Sequence, residues 1–148
     1  MRVAFAADHA GWPLRARVID ELAAGGHELV DCGGPERVPG DDYPDAAAAV
    51  ASAITSGRAE RGILVCGSGV GAGIAANKVM GIRASMCHDS FSAHQGVEDD
   101  NMNILCLGAR VVGVELAAEL VRVFVAARFS GAERHRRRLG KIAALERR

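Results

Sequence analysis

Residues 63–78 read ILVCGSGVGAGIAANK and join a short apolar run to four glycines that alternate with small residues. The apolar run at 63–65 is typical of a buried parallel strand, and Cys66 ends it. A helix is predicted to begin within the glycines, so that its unpaired amide groups and the positive end of its dipole face the loop. The pattern therefore predicts a strand, an anion-binding loop with a thiol at its edge, and a helix.

Short apolar runs alternate with helix-like segments along the whole chain. Strands are predicted at residues 2–7, 27–31, 61–65, 82–86 and 103–107. Helices are predicted at 11–24, 45–55, from the glycines to about 78, briefly from 90, at 112–127 and beyond 131. This alternation predicts an α/β fold with a parallel sheet of about five strands and helices on both faces. Because ligands of such sheets bind at the carboxyl ends of the strands, we expect Asp8, His9, Tyr43 and Cys66 to share one edge.

The size and the charge distribution limit the classes of function. At 148 residues and 49% hydrophobic content, the chain is predicted to form a single domain, 1–148. The 18 basic and 18 acidic residues cancel, yet residues 134–148 hold seven Lys and Arg against one acidic residue, Glu146. A basic end on an acidic body suits an anionic substrate or a partner subunit. Nucleic acid is not expected as a partner, because no stripe of basic residues interleaved with aromatics is present.

The cysteines and the N-terminal segment predict the compartment. No signal peptide is recognisable and no apolar run is long enough to span a bilayer, so we expect a cytoplasmic protein without a membrane partner. The four cysteines lack the close pairs of a zinc site, and a reducing compartment argues against disulfides. We expect no metal. Cys32, Cys87 and Cys106 lie in or after apolar strands and are predicted as small buried hydrophobes, which leaves Cys66 as the exception.

The glycine loop also fits a second motif. Gly67, Gly69 and Ala72 match the dinucleotide fingerprint G-x-G-x-x-G/A, and Asp89 follows where a ribose-binding acid is expected. Against a dinucleotide, the loop follows the third predicted strand rather than the first, and the chain has no room for a separate substrate domain. A Walker loop is excluded because Asn77 precedes Lys78 where that motif needs glycine. The sequence therefore favours a site without an organic cofactor.

Five motifs spread over the chain carry a resemblance to a known family. They are AADHAG at 6–11, DYPD at 42–45, CGSGVGAGIAANK at 66–78, LGARVVG at 107–113 and RHRRR at 134–138. Together they resemble the sugar-phosphate isomerases of the ribose-5-phosphate isomerase B and galactose-6-phosphate isomerase group. The resemblance implies a Rossmann-like three-layer αβα sandwich, a small phosphorylated sugar as substrate, and no metal or organic cofactor. It also implies a homodimer or homotetramer whose sites are completed across a subunit interface.

Interconversion of an aldose and a ketose needs a base and a group that stabilises an enediolate. A thiol becomes a competent base when its surroundings favour the thiolate. By resemblance, Cys66 is the proton-transferring base, and the loop amides with the Ser68 hydroxyl hold the charged oxygens. Some relatives place a glutamate inside the glycine loop, but Ala72 occupies that position here, which supports the cysteine type. The loop residues expected to bind substrate are Gly67, Gly69, Val70 and Gly71.

The basic end of the chain is predicted to bind the phosphate. Arg134 and Arg138 are four residues apart and therefore neighbours on one helix face, where two guanidinium groups can clamp a phosphate. The resemblance places the family's phosphate-binding arginine pair at these positions, and the basic helix at about 131–148 is expected to contribute to the subunit interface as well. Further substrate contacts that it implies fall on Asp8, His9, Tyr43 and Arg110.

One departure from the family lies before the fifth strand. Relatives that use cyclic sugars carry a His-Asn pair there, whereas this chain has Asp99 and Asp100. Three explanations stay open: Asp99 performs the acid-base step, His94 reaches in from the preceding turn, or the substrate needs no ring opening. The first explanation makes Asp99 a candidate catalytic residue, and Asp100 beside it is a candidate substrate contact.

The departure also bears on the substrate and on the class of function. A four-carbon sugar 4-phosphate cannot close a five- or six-membered ring, because its terminal hydroxyl is blocked. We expect a pentose 5-phosphate first, a tetrose phosphate second and a hexose 6-phosphate third. The alternative class is a binding module that senses a sugar phosphate or a nucleotide without catalysis.

Overall fold

A computed structural model of the chain describes residues 1–147; Arg148, which the predicted basic helix at 131–148 includes, lies outside them. The strands are β1 (Arg2–Ala7), β2 (Glu28–Asp31), β3 (Arg61–Cys66), β4 (Ala84–Met86) and β5 (Ile104–Gly108). The α-helices are α1 (Arg15–Ala24), α2 (Tyr43–Thr55), α3 (Val70–Ala76), α4 (Ser90–Asp100), α5 (Val114–Ala126) and α6 (Glu133–Leu145). Within residues 1–147, none of the helices is long and apolar enough to cross a membrane.

The five strands form one parallel sheet in the order β2-β1-β3-β5-β4. Every residue of β5 and all but the first of β3 are buried, as expected for central strands that are covered on both faces. One core packs α1, α4 and α5 on the sheet, and a second core packs α2 and α3 on the opposite face. The predicted α/β three-layer sandwich is therefore confirmed.

Several element boundaries differ from the sequence prediction. The first helix begins at Arg15 rather than at residue 11, because Trp12–Leu14 forms a turn of 3-10 helix. The edge strand β4 begins at Ala84 rather than at residue 82. At Ala84, the side chain of Asn77 makes two hydrogen bonds of 2.8 Å: its Oδ1 accepts from the N–H of Ala84, and its Nδ2 donates to the carbonyl of Ala84. These bonds take the place of those that a neighbouring strand would make. The segment from Ser90 is a full helix of 11 residues, not a short one.

The topology sorts the loops between two edges of the sheet. From β1 the chain continues to β2 on one side, whereas β3 pairs on the other side of β1, so the strand order reverses between β1 and β3. In open α/β sheets, ligands bind in the crevice outside the carboxyl ends of two such strands. A helix that connects two parallel strands runs from the carboxyl edge back to the amino edge. The end of α4 at Asp100 therefore lies at the opposite edge from its start.

Candidate active site

Most of the predicted site residues meet at the carboxyl edge of the sheet. The loops after β1 and β3 touch directly: the N–H of Asp8 donates to the carbonyl of Val65 at 3.2 Å. A Cβ at Gly11 would lie 2.0 Å from that carbonyl oxygen, so only glycine permits this approach. We call the residues gathered here the carboxyl-edge cluster; its members are Asp8, His9, Tyr43, Cys66, Ser68 and Arg110.

The glycine loop places the Cys66 sulfur under a backbone donor. Cys66 is 5% exposed, and its Sγ accepts a hydrogen bond from the N–H of Gly69 at 3.1 Å. Gly69 has a φ of 84°, in the left-handed region that favours glycine, and this turn directs its N–H back to the sulfur. The Ser68 hydroxyl accepts from the N–H of Val70 at 3.3 Å. Helix α3 begins at Val70 and ends at Ala76, shorter than predicted.

The other three cysteines have no comparable surroundings. Burial raises the pKa of Cys32 and of Cys87, and it raises the pKa of Cys106 to about 12. These thiols are therefore held in the neutral form. Among the described residues, Cys66 is the cysteine whose sulfur accepts a backbone N–H. The contrast supports the prediction that Cys66 differs in role from the rest.

Asp8 and His9 shape and anchor the loop after β1. Asp8 is 5% exposed, and its Oδ1 accepts from the N–H groups of Ala10 and Gly11 at 3.0 and 2.8 Å, which fixes the turn. The N–H of His9 donates to Asp41 Oδ1 at 2.7 Å, and His9 Nδ1 lies 2.9 Å from the same oxygen. Asp41 was not predicted as a site residue, since a carboxylate in a loop rich in Gly, Pro and Asp has no distinguishing pattern.

Tyr43 packs on the first turn of α3. A Cβ at Gly71 would lie 2.6 Å from the Tyr43 ring, so the absence of a side chain at Gly71 lets the ring approach the backbone. Tyr43 is 41% exposed and begins α2, with Pro44 in the first turn. The ring thus borders the glycine loop, as the sequence predicted, with part of it facing solvent.

The loop after β5 is bonded to the glycine loop and carries Arg110. The N–H of Ala109 donates to the carbonyl of Cys66 at 2.9 Å, and the N–H of Arg110 donates to the carbonyl of Gly67 at 3.0 Å. An Nη1 atom of Arg110 lies 3.5 Å from the place that a Cβ would take at Gly67. The guanidinium group is therefore next to the loop that holds the sulfur.

His88 also contributes to this edge, although no sequence motif indicated it. Its Nε2 accepts from the N–H of Gly108 at 3.0 Å, which ties the segment after β4 to the end of β5. Burial lowers the pKa of His88, so the neutral ring that this contact requires is favoured. A lone histidine after a strand has no sequence signal of its own; the contact becomes visible only when the strands are ordered in the sheet.

The remaining predicted residues lie elsewhere. Asp99 and Asp100 end α4 at the amino edge of the sheet. Helix α6 lies beside that end: the N–H of Ser130 donates to the carbonyl of Glu98 at 2.9 Å, and His135 Nε2 is 3.3 Å from Asp99 Oδ1. Arg134 and Arg138 on α6 are exposed, and neither forms an ion pair within residues 1–147. We call this group the amino-edge cluster; its members are Asp99, Asp100, Arg134, His135 and Arg138.

Two further predictions concern α4. His94 Nδ1 lies 3.0 Å from Glu98 Oε2 on the next turn of the helix, so its ring is engaged there. Asp89, the acidic residue of the dinucleotide pattern, caps α4 by accepting from the N–H of Ser92 at 2.7 Å, and this bond lowers its pKa. Asp89 therefore serves the start of the helix.

Two observations concern space for a ligand or a metal. A cavity of about 620 Å³ lies between β4, α4 and α6; Asp100 is among its lining residues, but no member of the carboxyl-edge cluster is. Within residues 1–147, no group of three or more His, Cys, Asp or Glu side chains is arranged to hold a metal ion.

Comparisons with known proteins agree with this geometry. Residues 3–142 match the model of the family described as Ribose/Galactose Isomerase. The chain is 41% identical to ribose-5-phosphate isomerase B of Escherichia coli, over 99% of this chain and 97% of the relative. It is 40% identical to D-erythrulose-4-phosphate isomerase of Pectobacterium atrosepticum, over 88% and 86%. The solved ribose-5-phosphate isomerase B of Clostridium thermocellum superposes with a TM-score of 0.94 at 43% identity, over 99% and 98%. The chain belongs to the ribose/galactose isomerase family, whose members are aldose-ketose isomerases of sugar phosphates.

Proposed function

We propose that this protein interconverts ribose 5-phosphate and ribulose 5-phosphate through an enediolate, with Cys66 as the proton-transferring base. The observation that carries the proposal is the position of Cys66 Sγ at the carboxyl end of β3, where the N–H of Gly69 donates to it at 3.1 Å. A donor aimed at sulfur stabilises negative charge on it more than it stabilises the thiol. The buried sulfur is thereby suited to take a proton from carbon and return it to the neighbouring carbon.

The loop beside the sulfur accounts for the second requirement of the reaction. An enediolate carries charge on oxygen, and preorganised N–H and O–H donors stabilise such charge strongly where water is excluded. Residues 67–71 offer backbone donors and the Ser68 hydroxyl within one turn of Cys66. In the proposed complex, the reacting carbons lie over this loop, and Tyr43 and Asp8 contact hydroxyls of the sugar.

The phosphate is proposed to bind between two copies of the chain. Arg110 and His9 belong to the carboxyl-edge cluster, whereas Arg134 and Arg138 lie at the opposite edge of the same chain. A site that uses all four needs the amino-edge cluster of a second copy. Apolar side chains are exposed near both edges, as a subunit contact requires: Val70 (47%), Ile74 (59%), Ile142 (39%) and Leu145 (58%).

A complementation experiment tests this division of the site. Cys66→Ala damages one cluster, and Arg134→Ala with Arg138→Ala damages the other. The two impaired proteins are mixed, reassembled and assayed at a substrate concentration far below the raised KM of the arginine variant. Half of the dimers are then hybrids, and each hybrid has one site without either substitution. We expect about a quarter of the wild-type activity to return, because a two-fold dimer contains two equivalent sites. Hybrid dimers that show no activity would mean that each site draws on one chain alone.

A four-carbon sugar 4-phosphate is the second candidate substrate. Asp99 stands where relatives that open cyclic sugars carry a histidine, and a tetrose 4-phosphate needs no such opening. The relative from Pectobacterium atrosepticum, 40% identical, is named for D-erythrulose 4-phosphate. Hexose 6-phosphates are the third candidate, since they need ring opening and a longer crevice.

A substrate panel decides among these candidates. Tetrose, pentose and hexose phosphates are assayed in both directions for aldose-ketose conversion, and exchange of the carbon-bound proton with solvent is followed in deuterium oxide. We expect the highest kcat/KM with ribose 5-phosphate and partial exchange during turnover. A higher kcat/KM with a tetrose phosphate would assign the second candidate. Binding without turnover on the whole panel would favour a non-catalytic sugar-phosphate sensor.

A further inference from the structure

His135 is a buried histidine whose ring has no hydrogen bond. It is 2% exposed, and neither Nδ1 nor Nε2 has a hydrogen-bond partner among the residues that the structure describes. Buried polar side chains are nearly always hydrogen-bonded, so each exception calls for a physical reason. The nearest charged group is the carboxylate of Asp99, whose Oδ1 is 3.3 Å from Nε2. The two groups are thus at ion-pair distance without an aligned hydrogen bond.

Asp99 is held so that it can face both His135 and solvent. Its Oδ2 accepts from the side-chain amide of Gln95 at 2.7 Å, which leaves Oδ1 for the imidazole. The Asp99 side chain is 35% exposed, whereas that of His135 is 3% exposed. The imidazole therefore lies behind the carboxylate, on the side away from solvent.

The same helix carries the predicted phosphate clamp. His135 follows Arg134 directly and lies one turn before Arg138, and both arginines are exposed. Asp99 of α4 lies 3.3 Å from the ring, and the arginines on either side of His135 in α6 are exposed. The ring thus joins the end of α4 to the helix that carries the arginine pair.

We infer that His135 is a positioning residue whose ring sets the orientation of the Asp99 carboxylate. The inference rests on the proposed function, in which Asp99 faces the sugar bound by a second copy. Gln95 holds Oδ2 of Asp99, and the buried ring of His135 lies 3.3 Å from Oδ1, so the two contacts together restrict rotation of the carboxylate. Asp99 contacts the sugar, and His135 acts through Asp99.

The first test measures the pair directly, without turnover. The ring nitrogens of His135 are observed by 15N NMR in the full-length assembled protein, wild type and Asp99→Asn, with His135→Asn used to assign the signal. We expect the 15N chemical shifts of the His135 ring to change in Asp99→Asn, because an amide replaces the carboxylate that faces Nε2 at 3.3 Å. His27, remote from both clusters, should keep its shifts. Unchanged His135 shifts in Asp99→Asn would overturn the inference.

The second test measures the effect on the reaction. His135→Phe keeps a ring of similar size without a donor, and His135→Asn keeps a donor without the ring. We expect kcat to fall roughly tenfold in both, with KM nearly unchanged. In an Asp99→Asn background the same substitutions should have no further effect, because a residue that acts through Asp99 has nothing left to act on. His27→Asn is the control variant.

The outcomes separate this inference from the proposed function. Thermal melting identifies any variant that loses activity through unfolding, and the NMR comparison needs no variant at position 135 beyond the assignment. An active wild type whose His135 variants retain full kcat would overturn the inference alone. A wild type that isomerises no sugar phosphate would contradict the proposed function and the catalytic part of this inference; the NMR shifts then still decide whether His135 contacts Asp99.

Discussion

The two edges of the sheet hold their functional side chains in different ways. At the carboxyl edge, the residues are fixed by backbone contacts: the turn after β1 meets β3, and the N–H groups of Ala109 and Arg110 donate to the carbonyls of Cys66 and Gly67. At the amino edge, the side chains project from two helices, and Arg134 and Arg138 have no ion-pair partner within residues 1–147. The first cluster is preorganised within one chain, whereas the arginines of the second are exposed.

This difference indicates which side chains a single chain can position by itself. Contacts that depend on glycines and strand ends form as soon as the chain folds. Exposed guanidinium groups four residues apart are stable in water but become oriented only when an anion binds them. We therefore expect substitutions at the carboxyl edge to damage chemistry and folding, and substitutions at the amino edge to damage binding and assembly.

The largest effect is expected from Cys66→Ala. Loss of the proposed base should lower kcat by roughly 10²- to 10⁴-fold, the range typical of general acid-base residues, and should change KM little. Steady-state kinetics with ribose 5-phosphate measure both constants. Cys32→Ala, at a half-buried cysteine away from the loop, is the matched control and should retain wild-type kcat. A kcat for Cys66→Ala within tenfold of wild type would assign the base elsewhere.

The next effect concerns the phosphate clamp. Arg134→Ala combined with Arg138→Ala should raise KM roughly 10- to 100-fold, because charge-assisted hydrogen bonds from guanidinium groups that stay partly in water together contribute about 1.5–3 kcal/mol. The effect on kcat should be smaller. Arg136→Ala with Arg137→Ala removes the same charge from the same helix and should raise KM much less. An equal rise in both double variants would indicate general attraction by a basic surface instead of a clamp.

A smaller effect is expected on stability, where the tight packing at Gly108 is compared with the open packing at Gly140. A Cβ at Gly108 would lie 2.6 Å from the backbone carbonyl of Ser68. Gly108→Ala should therefore lower the free energy of unfolding by about 1–3 kcal/mol and displace the glycine loop. At Gly140, inside α6, a Cβ would have no atom within 4 Å among the described residues. Gly140→Ala should leave stability unchanged or raise it by up to about 1 kcal/mol. Urea denaturation at one protein concentration measures both, and equal losses would contradict the contrast.

The smallest effect is a pH dependence at the carboxyl edge. Burial lowers the pKa of His88 in the folded state, while the unfolded chain keeps a value near ~6.5. The stability that neutral His88 contributes is therefore present above about pH 6.5 and is lost as the pH falls toward the lower folded value. In His88→Gln the amide oxygen can still accept from Gly108, but nothing titrates.

Denaturation midpoints from pH 7 to pH 5 test this expectation. Over this range the wild type should lose more stability than His88→Gln does. The range covers roughly the interval between the unfolded and folded pKa values of a buried histidine. Parallel curves would mean that the pKa of His88 is the same in the folded and the unfolded chain, so that burial does not lower it.

Local patterns were enough to predict most of the fold. The prediction for β1 is confirmed to the residue, and the glycine loop after β3 is confirmed with its thiol in place. Helix α4 was underestimated, because Gly96 and its polar residues hide the periodicity. It forms a full helix since Ala93 and Val97 pack into the core and Asp89 caps its start. The family and the isomerase class, predicted from five motifs, are also confirmed; the catalytic role of Cys66 stays a prediction.

Contacts between distant segments could not be predicted. Asp41 with His9, His88 with Gly108, and Gln95 with Asp99 each join residues that no motif connects. Asp99 and Cys66 were predicted to belong to one site, without an assignment of the chains that supply them. Such pairings depend on strand order and helix direction, which a single linear pattern does not encode.

By itself, the sequence determined the alternation of strands and helices, the glycine loop with Cys66, and the family, because these depend on residue types at short spacing. Only the tertiary structure decided which of the candidate residues lie together. A crossover helix between parallel strands returns the chain to the opposite edge, so Asp99 ends α4 far from the loop that holds Cys66. The same packing buried His135 against Asp99, a pairing whose cause is the position of α6 on α4 and not any pattern within either helix.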